Sequence, residues 1–241
     1  MNAVFIRIPK TAGTSVMNAL SRSPLGLLKC NWPSQVTALF NQQGLVNFGH
    51  MEYSRLVARG YIDEEFDKTA FKFSFVRNPY DRALSGYTDL AVRGRGRREY
   101  KMWARDIGFK KFCQLVLDAP KRPVGLHHMS GKVIMVDGDI HPNGEATLSS
   151  YNPQVRWVEK VKLDFLGRYE NLHEDFARLC DMLGIPRQTL NWDRWSRGYP
   201  RNDETVVRRR PFMEYYCDET REIVSRVWRE DFERFDYPIH H

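Results

Sequence analysis

The feature that most constrains this chain is a short apolar run, a loop of small residues and a helical pattern, all within its first 20 positions. Val4-Phe5-Ile6-Arg7-Ile8 is rich in β-branched and aromatic residues and reads as a strand. Pro9-Lys10-Thr11-Ala12-Gly13-Thr14-Ser15 follows, and Val16-Met17-Asn18-Ala19-Leu20 then takes up helical apolar spacing. A small-residue loop at such a junction can turn successive backbone N–H groups toward an anion, and the helix N-terminus adds partial positive charge. The same order recurs at residues 70–76, where an apolar run meets Arg77-Asn78-Pro79 and the proline opens a helix over residues 80–90. A third run, Leu45-Val46-Asn47-Phe48, ends at Gly49-His50 ahead of another helical pattern. Three strands that each deliver polar residues at their carboxyl ends describe an open parallel sheet, and that edge is where ligands bind.

The remainder is less regular. Residues 106–117 read as a helix, and residues 132–139 as a hairpin turning at Asp137-Gly138-Asp139. Residues 163–169 read as a further strand. A helix then starts at Asn171 or His173 and stops at Gly184, just before Ile185-Pro186. A last long helix is expected over residues 212–229, with Tyr215, Ile223, Val227 and Trp228 on its apolar face. A length of 241 residues, 42% of them hydrophobic, suits one α/β domain over residues 1–241.

The net charge of +7 and pI near 9.3 favour acidic partners: a phosphorylated or sulfated cofactor, an anionic polysaccharide, nucleic acid or an anionic membrane surface. No apolar stretch approaches the roughly 18 residues of a membrane span, and no signal-peptide core opens the chain. Cys30, Cys113, Cys180 and Cys217 stand far apart without a CxxC pair, so the expectation is a soluble cytoplasmic protein with reduced thiols. The loop is not a Walker A motif, because Lys10 precedes Gly13 instead of following the last glycine. That counts against an ATP-dependent P-loop kinase. A nucleic-acid-binding protein would account for the charge and for the basic runs at residues 93–98 and 208–210, but no RNP-type or zinc pattern accompanies them.

Residues 5–15 resemble the 5′-phosphosulfate loop of carbohydrate sulfotransferases. They are most similar to the heparan sulfate and uronyl 2-O-sulfotransferases, in which an arginine precedes the Pro-Lys-Thr-Ala segment. The resemblance implies a three-layer, P-loop-like sulfotransferase fold with a mainly parallel central sheet flanked by helices. It implies transfer of a sulfuryl group from 3′-phosphoadenosine 5′-phosphosulfate, which leaves as 3′-phosphoadenosine 5′-phosphate, to an acceptor hydroxyl. The acceptor is expected to be a carbohydrate, with a small hydroxylated metabolite as the alternative. By the same resemblance Lys10 would contact the phosphosulfate and stabilise charge on the leaving phosphate. Thr11, Ala12, Gly13, Thr14 and Ser15 would cradle it, and Arg7 would meet the acceptor. A membrane anchor ahead of the chain, as in the Golgi members of the family, would change the expected compartment to the Golgi lumen.

Residues 75–87 are similar to the family's 3′-phosphate segment, which assigns that phosphate to Arg77 and to Ser85 on the next helix. A planar guanidinium can bond two phosphate oxygens. Phe48-Gly49-His50-Met51-Glu52 resembles the Gly-His segment that carries the family's proposed base, and an imidazole suits proton removal from an attacking hydroxyl. His127, His128, His141 and His173 are the competing histidines. Residues 164–172 and 216–237 resemble later family landmarks, and Gln154 and Trp157 echo a segment near the site. No metal is required by this reading, since Lys10 and backbone donors can meet the developing charge.

Overall fold

The computed structural model describes residues 1–29, 44–93, 98–118, 123–129, 132–137, 151–190 and 211–240. The chain divides into two compact units, one of residues 1–77, 140–148 and 154–192, the other of residues 78–139, 149–153 and 193–241.

The first unit is built on five parallel strands, β1 (Ala3–Ile6), β2 (Leu28–Lys29), β3 (Leu45–Asn47), β4 (Phe71–Val76) and β7 (Phe165–Arg168), in the order β2-β3-β1-β4-β7. The register sets Phe5 beside Asn47 on one side and Phe73 on the other, and Val76 beside Arg168. All four residues of β1 are buried, as expected of a parallel strand covered on both faces. Because side chains alternate along a strand, Ala3, Phe5, Leu45, Phe73, Phe75 and Phe165 share one face. There they form a core with Val16, Ala19 and Leu20 of α1 (Gly13–Leu20). Leu172, Phe176 and Leu179 of α7 (Leu172–Met182) complete it. Phe5 stacks flat on Phe73 with centroids 5.1 Å apart and meets Phe75 edge-on at 6.4 Å. Gly167 leaves room for this ladder, since a Cβ there would lie 2.3 Å from the Phe75 ring. The unit also holds α2 (Tyr53–Ala58), α3 (Glu64–Thr69) and α6 (Val155–Val158). This is an α/β fold with an all-parallel central sheet flanked by helices, where the sequence predicted only a mainly parallel one.

The second unit opens with α4 (Pro79–Arg93), which runs three residues beyond its predicted end. Asn78 caps it by accepting from the Tyr80 N–H at 3.0 Å, and Pro79 occupies the first turn, where no N–H is needed. Next comes α5 (Arg98–Phe112), kinked at Gly108, whose φ is 69°. It begins eight residues before the predicted start at 106, and a π-helical turn, Cys113–Leu117, takes over at its end. Strands β5 (Pro123–Met129) and β6 (Lys132–Asp137) pair antiparallel with Met129 opposite Lys132. Asp137 pairs with Pro123 at the far end of the ladder, so the predicted turn at Asp137-Gly138-Asp139 is not where these two strands are joined.

The predicted last helix over residues 212–229 is two pieces, a 3₁₀ turn at Phe212–Tyr215 and α8 (Asp218–Val227), and α9 (Arg229–Phe235) begins where the prediction ends. A capping box between Cys217 and Thr220 starts α8 afresh, which is why one continuous helix does not form. Arg82 of α4 is buried within this unit, its guanidinium donating to the Asn152 carbonyl at 2.9 Å. The same guanidinium lies 4.6 Å from the Trp228 ring and 3.9 Å from Asp231. Among the described residues no helix is long and apolar enough to cross a membrane.

Candidate functional site

Strands β1 and β4 are neighbours, yet the chain leaves β1 toward β2 on one side of the sheet and leaves β4 toward β7 on the other. That divergence marks a topological switch point, and the crevice outside the carboxyl ends of such strands is where open α/β sheets bind ligands. The segment after β1 carries Arg7 and residues 9–15, the residue after β4 is Arg77, and β3 leads into Gly49-His50.

One backbone segment organises these residues. Five carbonyls between Phe5 and Lys10 each accept a side-chain hydrogen bond. Asn47 Nδ2 donates to Phe5 at 2.8 Å and Ser74 Oγ to Ile6 at 2.7 Å. His50 Nδ1 lies 2.9 Å from the Arg7 carbonyl, Thr11 Oγ1 donates to Ile8 at 2.9 Å, and Arg77 Nη1 donates to Lys10 at 3.1 Å. Lys10 and Ala12 both sit in the left-handed region, at φ 70° and 66°. Each costs a non-glycine residue roughly 1–2 kcal/mol, a strain offset by the bonds to the flanking carbonyls. Ala12 is the N-cap of α1 without a side-chain cap, and the first turn holds no acidic residue. The N–H groups that open any helix have no partner within it, and here no local carboxylate competes with an anion for them.

Gly13 is required by a neighbour. A Cβ at this position would stand 2.7 Å from both Cγ and Nε of Arg7, whose side chain crosses it. Arg7 Nη2 donates to Thr14 Oγ1 at 2.9 Å, while Arg7 Nε is buried without a hydrogen-bond partner. Burial pulls the Arg7 guanidinium below its ordinary pKa. Thr11 is fully buried, its hydroxyl directed at Ile8, and Ser15 is buried in the first turn of α1.

Arg77 is only 4% exposed. Its guanidinium lies 3.7 Å from the centre of the Tyr169 ring while donating to Lys10, and its own backbone is held at both ends by the Gln154 amide. At His50, the carbonyl facing Nδ1 requires the proton on that nitrogen, so the neutral ring has Nε2 as its basic nitrogen. Trp157 donates its indole N–H to the His50 carbonyl at 3.1 Å.

Of the residues singled out from sequence, Arg7, Lys10, Thr11, Gly13, Thr14, His50 and Arg77 are thus linked within the first unit, with Ala12 and Ser15 in the same loop and turn. Ser85 lies on α4 in the second unit and is buried. His127 and His128 lie on β5, opposite Ile134 and Val133. His173 is exposed in the first turn of α7. His141, Cys30, the basic run at 208–210 and residues 94–97 of the run at 93–98 fall outside the described residues. Asn47, Ser74 and Tyr169 were not anticipated. For Asn47 and Ser74 a signal existed, since each is a polar residue in the interior of an otherwise apolar strand. Among the described residues no group of three or more His, Cys, Asp or Glu is placed to hold a metal ion.

A strand–loop–helix turn at the switch point of a parallel sheet, with arginine and lysine on the loop, is the arrangement of an α/β protein that handles an anionic group. Comparison with family models is more specific: the model described as the sulfotransferase family matches residues 2–238. The chain belongs to that family, whose members transfer sulfuryl groups. No curated protein and no solved structure matches it.

Proposed function

We propose that this sulfotransferase takes its sulfuryl group from 3′-phosphoadenosine 5′-phosphosulfate and passes it to a hydroxyl of a carbohydrate. The observation that carries the reading is the loop at residues 9–13: two left-handed residues, an uncapped helix N-terminus and Arg7 Nε buried without a partner. Helix N-termini favour anions, so the loop fits a phosphosulfate, and the buried Arg7 N–H, which needs a hydrogen-bond acceptor, fits the hydroxylated substrate beside it. The donor supplies a sulfuryl group already activated by attachment to phosphate.

The chain's own residues then divide the work. Lys10 and the first-turn N–H groups of α1 hold the 5′ end, where charge grows on the leaving phosphate. Arg77 holds the 3′-phosphate, as the motif resemblance implies. His50 accepts the acceptor's proton at Nε2, and its Nδ1–H bond to the Arg7 carbonyl keeps the ring in that tautomer and steadies the imidazolium that results. Because that carbonyl belongs to the residue whose side chain crosses Gly13, the candidate base is held by the same backbone that forms the loop.

Calorimetric titration with 3′-phosphoadenosine 5′-phosphate, adenosine 5′-phosphate and ATP with Mg²⁺ tests the donor. The first should bind selectively. Arg77→Ala should weaken it by about 1.5–3 kcal/mol, the scale of a lost charge-assisted contact. A preference for ATP with Mg²⁺, or no nucleotide binding, would sink the proposal. Sulfation of a panel of polysaccharides and small hydroxylated compounds, with His50→Ala as the inactive control, then separates the carbohydrate reading from its alternative.

A further inference from the structure

Gln154 is fully buried and uses both ends of its amide on the main chain of a single residue. Its Oε1 accepts from the Arg77 N–H at 2.9 Å and its Nε2 donates to the Arg77 carbonyl at 2.8 Å. Arg77 stands immediately beyond Val76, the last β4 residue paired with β7, so this amide supplies the hydrogen bonds that a continuing strand would have provided. A role in packing alone would not call for it. An apolar side chain of similar volume fills the same space without a buried amide that must be satisfied.

What the clamp holds is the base of the donor machinery. The Arg77 guanidinium, at the far end of that side chain, donates to the Lys10 carbonyl and lies over Tyr169. Gln154 is itself anchored: it is the N-cap of α6, its carbonyl accepts from the Trp157 N–H at 3.1 Å, and the Trp157 indole is fixed to the His50 carbonyl. We infer that Gln154 is a positioning residue for sulfuryl transfer, setting the backbone of Arg77 and, through its guanidinium, the left-handed turn at Lys10. The inference rests on the donor reading given above.

The test exploits the fact that an amide both donates and accepts. Gln154→Met keeps the volume and removes both bonds. Gln154→Glu keeps one as a carboxylate and regains both when protonated, and burial raises the pKa of such a carboxyl. Affinity for 3′-phosphoadenosine 5′-phosphate is measured by calorimetry on wild type and both variants at about pH 8 and about pH 5.5, on either side of the raised titration. Circular dichroism and thermal melting confirm that each is folded. Gln154→Met should bind at least about tenfold more weakly than wild type at both pH values, because both Arg77 main-chain groups lose their partner. Gln154→Glu should be similarly weak at the higher pH and should approach wild type at the lower, a recovery that a space-filling role cannot produce. If Gln154→Met does not fold, the pH dependence of Gln154→Glu carries the test. Wild-type affinity in Gln154→Met, or a Gln154→Glu deficit equal at both pH values, overturns the inference and leaves the donor assignment standing. Absence of binding by the wild-type protein overturns the donor assignment, and the inference falls with it.

Discussion

Arg7 and Gly13 form a matched pair: the arginine crosses where a β-carbon would be, and it keeps one buried nitrogen without a partner. Gly13→Ala should therefore displace the arginine as well as crowd the loop. The expected result is a loss of about 1–3 kcal/mol of stability, the usual scale of overpacking, together with weaker nucleotide binding; denaturant melts and titration read the two separately. A residue away from the site gives an independent check. Cys217 is exposed, and hydrogen bonds to the Thr220 backbone and then to its hydroxyl hold the thiol below its ordinary pKa, whereas burial pushes the Cys113 thiol up. Iodoacetamide should label Cys217 well before Cys113 in the native protein. Because the thiolate is the reactive form, labelling of Cys217 should persist to lower pH than for free cysteine, and Thr220→Val, which removes the hydroxyl but keeps the backbone N–H, should move it back up only in part. Peptide mapping by mass spectrometry decides this; preferential labelling of Cys113 would contradict the packing described.

At the scale of elements, the sequence was most informative where local chemistry and tertiary structure agree. Pro79 after Asn78 announces a capped helix, and α4 begins there. Asn78→Ala should cost about 1 kcal/mol through loss of that cap, measured as a shift in urea midpoint at unchanged slope. The loop from Pro9 to Ser15 was legible because small residues between a β-branched run and a helical pattern have few other uses. What could not be read was long-range. Asn47 and Ser74 look like interruptions of their strands, and nothing local reveals that they serve carbonyls on β1. The C-terminal segment departs from its sequence pattern for the opposite reason. Its apolar spacing continues in phase across a break that the Cys217–Thr220 cap imposes, and a cysteine is an unusual N-cap.

At the scale of the whole molecule, the family match over residues 2–238 agrees with motif similarity that reached nearly from end to end. A donor product that binds only the folded chain should raise its melting temperature. Nucleotide at about 100 times Kd adds about 2.7 kcal/mol, which for a protein of this size is a rise of about 5–10 °C; scanning calorimetry with and without 3′-phosphoadenosine 5′-phosphate checks it. The five pinned carbonyls carry a consequence for the order of events in folding. Four of their donors come from residues 42 to 68 positions away along the chain, so the loop cannot take its shape until β3 and β4 have docked in register beside β1. Nucleotide should therefore leave the refolding rate almost untouched and act by slowing unfolding, so that protection by the donor product is a matter of how long the native protein lasts rather than how fast it is made.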